Sequence, residues 1–88
     1  MNEKALVKQL EREGFTHTFV WQDRPNTFYS DHTHETETAH IISSGEMSLT
    51  MDRRTQVFRP GDRCDVPAGA VHSAQMGPQG CRYIIGER

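Results

Sequence analysis

The sequence predicts an all-β chain, a double-sheet jelly-roll barrel preceded by a short α-helix. Three observations carry that prediction. Stretches rich in β-branched and aromatic residues recur about every ten residues, punctuated by Gly and Pro in Arg24-Pro25-Asn26, Pro60-Gly61-Asp62 and Gly77-Pro78-Gln79-Gly80. His32 and His34 flank a single Thr; side chains at i and i+2 share a face in a strand but lie about 200° apart on a helix. A third histidine, His72, follows His34 by 38 residues, too far for a local metal finger, and so is expected from another strand or turn of a closed structure.

The elements follow in order. Residues 3–13 set Ala5, Leu6 and Leu10 on one side among charges, and Gly14 stops the helix, which is expected to lie against the barrel or a partner subunit. Residues 15–21 alternate rings with Thr and Val, a strand with Phe15, His17, Phe19 and Trp21 on one face; His17 reads as a packed or surface residue. Residues 27–34 and 36–43 read as two strands, closed by a turn at Gly45-Glu46. Residues 46–51 form the next, with Met47, Leu49 and Met51 sharing a face, and Asp52-Arg53-Arg54 is the hairpin turn. Residues 55–59 return and 63–66 are a short strand. Pro67-Ala68-Gly69 then reverses the chain, because Pro presets φ at the second position of a β-turn and Gly suits the fourth. Residues 71–76 carry His72, and the Gly77–Gly80 turn leads to a final strand at 81–85.

Eighty-eight residues are expected to form one domain, helix over 1–14 and barrel over 15–88. A hydrophobic fraction of 34% is low for a monomer with a full core, so part of the apolar surface is expected at a homodimer interface. Net charge is -2, with no basic stripe and no helix-turn-helix pattern, which gives nucleic acid no electrostatic footing. No apolar run approaches the roughly 20 residues of a membrane span, and the charged residues 1–12 lack the apolar centre of a signal peptide. The expected location is cytoplasmic, where Cys64 and Cys81 would be free, buried thiols.

The histidines belong to a longer pattern. Asn26, His32, His34, Thr38 and Gly45 stand at the spacing Gly, five residues, His-x-His, three or four residues, Glu, six residues, Gly, with Asn26 and Thr38 departing from it. Gly61, Pro67, Gly69, His72 and Met76 stand at the spacing Gly, five residues, Pro-x-Gly, two residues, His, three residues, Asn, with Met76 departing. In these two motifs the chain resembles a small single-domain cupin. Asn26 is a mild departure because Asn tolerates left-handed backbone. The resemblance implies a double-stranded β-helix barrel in which His32, His34 and His72 bind one divalent metal ion.

Thr38 is the departure with chemical weight, since a hydroxyl is a poor ligand and supplies no negative charge where the family has Glu. His40, two residues on and on the same face of a regular strand, is a candidate fourth ligand; the competing reading is a pocket histidine that hydrogen-bonds substrate. Glu35 and Glu37 are alternatives only if a bulge shifts the register. Met47, Leu49, Met51, Phe28, Tyr83 and Ile85 are expected to line or support the cavity, with the Tyr83 hydroxyl a candidate for orienting substrate.

Two functions compete. The first is an enzyme acting on a small oxygen-rich or enolisable metabolite through a histidine-held ion (Fe, Zn, Ni or Mn), of dioxygenase, isomerase or lyase type as the resemblance implies. The second is a non-catalytic module that binds a small molecule or a metal and acts through a separate partner. Fold alone does not decide between them.

Overall fold

The computed structural model describes all 88 residues and contains one helix and six strands. The helix α1 (Glu3–Arg12) is followed by β1 (His17–Asp23), β2 (Phe28–His32), β3 (Thr38–Met51), β4 (Arg54–Phe58), β5 (Arg63–Val66) and β6 (His72–Glu87). All pairings are antiparallel. No helix is long and apolar enough to cross a membrane.

Two strands are longer than the sequence predicts, and they make the barrel. Gly45-Glu46 and Gly77–Gly80 are corners within strands: β3 and β6 each continue past them, pairing from Thr38↔Glu87 to Gly45↔Cys81 and again from Met47↔Met76 to Met51↔His72, with residues 77–80 unpaired to β3 between. Register shifts between Ile42 and Ser44 and between Gly45 and Met47 mark the bend. Gly45 (φ 76), paired with Cys81, and Gly80 (φ 78), in the segment left out of the ladder, take the positive φ that lets the strands change direction where Glu46 and residues 77–80 bulge out of register. Each long strand thereby serves both halves of one bent, six-stranded sheet. The first half of β3 and second half of β6 lie between β5 and β1; the remaining halves lie between β4 and β2.

The tight turns are where the sequence puts them. Asp52 and Arg53, at φ 53 and 64, form a two-residue hairpin between Met51 and Arg54, the left-handed pair that matches strand twist. Asn26 adopts φ 60, so Asn does accept the backbone for which the family uses Gly.

The core has two parts. Inside the barrel lie Ile42, Met47, Leu49, Cys64, Val66, Ala74, Met76, Cys81 and Tyr83. On the outer face of the β1-side half of the sheet, Leu10 and Phe15 pack on Ala39, Ile41 and Ile84. The helix thus lies against the barrel, with Leu6, Val7 and Leu10 inward and Ala5 exposed, one residue off the predicted stripe. Asn2 caps it by accepting from the Ala5 N–H at 3.1 Å. Burying Leu10 stabilises this docking by about 2 kcal/mol. The exposed pairs Glu3–Arg82 (2.7 Å) and Glu13–Arg63 (2.8 Å) add less, their main effect being to fix the helix ends. Phe15 precedes β1 and does not share a face with Phe19 and Trp21; it packs under the helix with the Arg88 guanidinium 4.2 Å over its ring. Cys64 and Cys81 are free and buried, and burial pushes their thiols to about 11 and about 12, which makes them inert.

Candidate metal centre

His32 ends β2 and His72 begins β6, and the two are cross-strand partners with ring centroids 4.2 Å apart. His34 lies two residues beyond β2, outside any strand, so strand geometry accounts for His32 but not for His34. Its position comes from elsewhere: the His34 carbonyl accepts from the Gly69 N–H at 2.9 Å, which ties it to the turn that delivers His72. The His34 ring then stands 4.9 Å from that of His32 and 5.0 Å from that of His72. Ligand atoms of all three lie within 4.8 Å of one another.

The donor chemistry suits a divalent ion. Nδ1 of His32 is 2.7 Å from the Ser30 carbonyl oxygen and Nδ1 of His72 is 3.0 Å from that of Ala70. A carbonyl only accepts, so each Nδ1 carries the proton and each Nε2 keeps its lone pair for a ligand. His34 is held below the usual imidazole range, by burial first and then by His72 and His32, which favours the neutral, metal-binding form.

The triad lines a cavity of about 280 Å³ whose other walls include Phe19, Trp21, Tyr29, Met47, Leu49, Tyr83 and Ile85. Of the predicted wall residues, Phe28 is the exception: it is 61% exposed, and Tyr29, its neighbour on the opposite face of β2, points inward instead. Met51 packs against the core beside the cavity.

His40 and Tyr83 both line the cavity, with ring centroids 5.8 Å apart. His40 stands outside the triad's cluster, its Nδ1 3.4 Å from the Cys64 carbonyl. Burial lowers its pKa to about 4, so it is neutral at physiological pH. Glu35 is exposed, Glu37 pairs with Arg88 at 3.0 Å, and neither lines the cavity. Thr38 does line it, and its buried hydroxyl has no hydrogen-bond partner.

Sequence reasoning missed Asp23, Tyr29 and Glu87. Asp23 is 7% exposed and accepts from Trp21 Nε1 (3.0 Å), from the Tyr29 hydroxyl (2.6 Å) and, on its other oxygen, from the Tyr83 hydroxyl (2.6 Å). Burial and then Asp23 raise both phenols, which therefore stay protonated. Strand alternation could have found these carboxylates: Asp23 has the parity of Trp21, and Glu87 that of Tyr83 and Ile85.

With this geometry in view, comparison with known proteins places the chain. The profile described as the cupin domain matches residues 19–84, and the chain belongs to that family. Among solved structures, the DMSP lyase DddQ from Ruegeria pomeroyi DSS-3 superposes with a TM-score of 0.73 at 22% identity, over 81% of this chain and 36% of that one. An RmlC-like cupin from Shewanella frigidimarina NCIMB 400 gives 0.71 at 21% identity, over 80% of this chain and 62% of that one. KdgF from Halomonas sp. gives 0.67 at 16%, over 81% and 67%. At these identities the likeness is one of fold, and this chain spans only about a third of the lyase's length. No curated protein matches.

Proposed function

We propose that this cupin is a metal-dependent enzyme in which His32, His34 and His72 hold one divalent ion (Fe, Zn, Ni or Mn) and the adjoining cavity takes a small oxygen-rich or enolisable metabolite. The observation behind this reading is the convergence of three imidazoles, two with Nδ1 committed to backbone carbonyls, at one wall of a cavity. A divalent ion bound there supplies Lewis acidity to a carbonyl or enolate oxygen, or acidifies a water. The chain's own residues do the rest. The aromatic and aliphatic walls exclude water and hold the carbon frame, while neutral His40 offers a hydrogen bond without a charge. Tyr29 and Tyr83 donate their hydroxyl hydrogen bonds to Asp23, which leaves their oxygens as acceptors.

The test measures metal content and turnover together, on protein purified without an affinity tag. Stoichiometric metal in the wild type, lost in His72→Ala, supports the triad; equal metal in both refutes it. Turnover of small hydroxy acids or diketones that stops on chelation supports the enzyme. Saturable binding without turnover moves the reading to a binding module. We also read the chain as a homodimer, because Trp21 and Phe28 are 49% and 61% exposed, and light scattering at micromolar concentration decides it.

A further inference from the structure

Three neutral imidazoles leave a divalent ion with its whole charge in a cavity walled mainly by apolar side chains. Thr38 contributes only a hydroxyl, and that hydroxyl is buried in the cavity wall with no partner. Across the ladder from it, on β6, stands Glu87: the two are Cα partners in the β3·β6 register. Such partners hold their Cβ atoms about 5 Å apart on the same face of the sheet, so a carboxylate at 87 reaches the space that a longer side chain at 38 would fill. Glu87 is the only acidic residue lining the cavity.

Its surroundings leave it available. The Glu87 side chain is 32% exposed, accepts no side-chain hydrogen bond, and its only ionic contact is a long one, 3.9 Å to Nε2 of the exposed His17. The other nearby acids are engaged, Glu37 by Arg88 and Asp23 by its three donors. Glu87 also sits close enough to His34 for its charge to act on that ring.

We propose that Glu87 is the anionic partner of the metal centre, turning from His17 into the cavity to give the ion a carboxylate oxygen from β6 in place of one from position 38. The inference rests on the histidine triad holding a metal, and the experiment separates the two. Apoprotein is titrated calorimetrically with Mn(II) and with Ni(II), for the wild type, His72→Ala, Glu87→Gln and the double variant Thr38→Glu/Glu87→Gln. Oxygen donors matter more to Mn(II) than to Ni(II), which imidazoles satisfy. Glu87→Gln is therefore expected to weaken Mn(II) by about 10- to 100-fold and Ni(II) by much less, at an unchanged melting temperature of the apoprotein. The double variant, with the carboxylate moved back across the ladder, is expected to recover Mn(II) affinity. Wild-type Mn(II) affinity in a folded Glu87→Gln protein overturns the proposal while leaving the triad intact, as does equal loss for both ions. Wild-type protein that binds neither ion overturns the triad and this inference together.

Discussion

Gly45 rests against the backbone of Gly80 so closely that a Cβ on Gly45 would lie 2.1 Å from the Gly80 carbonyl oxygen. Both residues sit at positive φ inside long strands, Gly45 in β3 and Gly80 in β6, where the strands bend from one half of the sheet into the other. The barrel corner thus depends on two backbones meeting with no side chain between them. Gly45→Ala is expected to cost about 3 kcal/mol or more, from left-handed strain and a clash that cannot relax without parting the strands. Gly69→Ala, at φ 79 with nothing near its missing Cβ, isolates the strain alone and is expected to cost about 1 kcal/mol. Urea denaturation of both measures the difference, and equal losses would mean that the close approach does not constrain the corner.

Asp23 is expected to hold the cavity's phenols in place. Asp23→Ala leaves the buried Tyr83 hydroxyl, and that of Tyr29, without an acceptor, at a cost of about 3 kcal/mol. Trp21→Phe removes the one donor on a half-exposed ring and should cost under about 1 kcal/mol. Chemical denaturation gives both values; an Asp23→Ala protein within about 1 kcal/mol of wild type contradicts this role.

His40 should make the apoprotein sensitive to mild acid. Its folded pKa, about 4, lies below the unfolded value of 6.5, so between these limits the unfolded chain binds more protons than the folded one. Stability is then full above pH 6.5 and falls as pH drops toward 4, by on the order of 3 kcal/mol. His34, also lowered, acts in the same direction. Denaturant midpoints measured with chelator present across this range should flatten in His40→Asn; an unchanged slope in that variant would show that His40 is not the group responsible.

Much of this was legible in the sequence because it is local chemistry. Alternation announced a strand over residues 15–21, which forms over His17–Asp23, and one over 46–51, which is the second half of β3. Asp52-Arg53 turns as expected, and the spacing of His32, His34 and His72 announced a cluster. Pro67-Ala68-Gly69 turns one place out of phase, with Pro67 first and Gly69 third and the Ala70 N–H donating to the Pro67 carbonyl at 3.2 Å. The same local signals misread the corners: glycine at positive φ is equally at home in a reversal and in a bulge, and only the pairing of β3 with β6 on both sides of the corner distinguishes them. His34 shows the same limit, since it joins the cluster through Gly69 and not through strand parity.

The sequence by itself therefore determined which residue types are present at which spacing, and with them the barrel and the triad. Tertiary structure alone decided that Thr38 faces Glu87 across a ladder, that Asp23 gathers Trp21, Tyr29 and Tyr83, and that Glu37 turns outward to Arg88. These are contacts between residues as much as 60 positions apart, as for Asp23 and Tyr83. Their existence depends on register, and register is set by the packing of the whole sheet, not by the preferences of either residue.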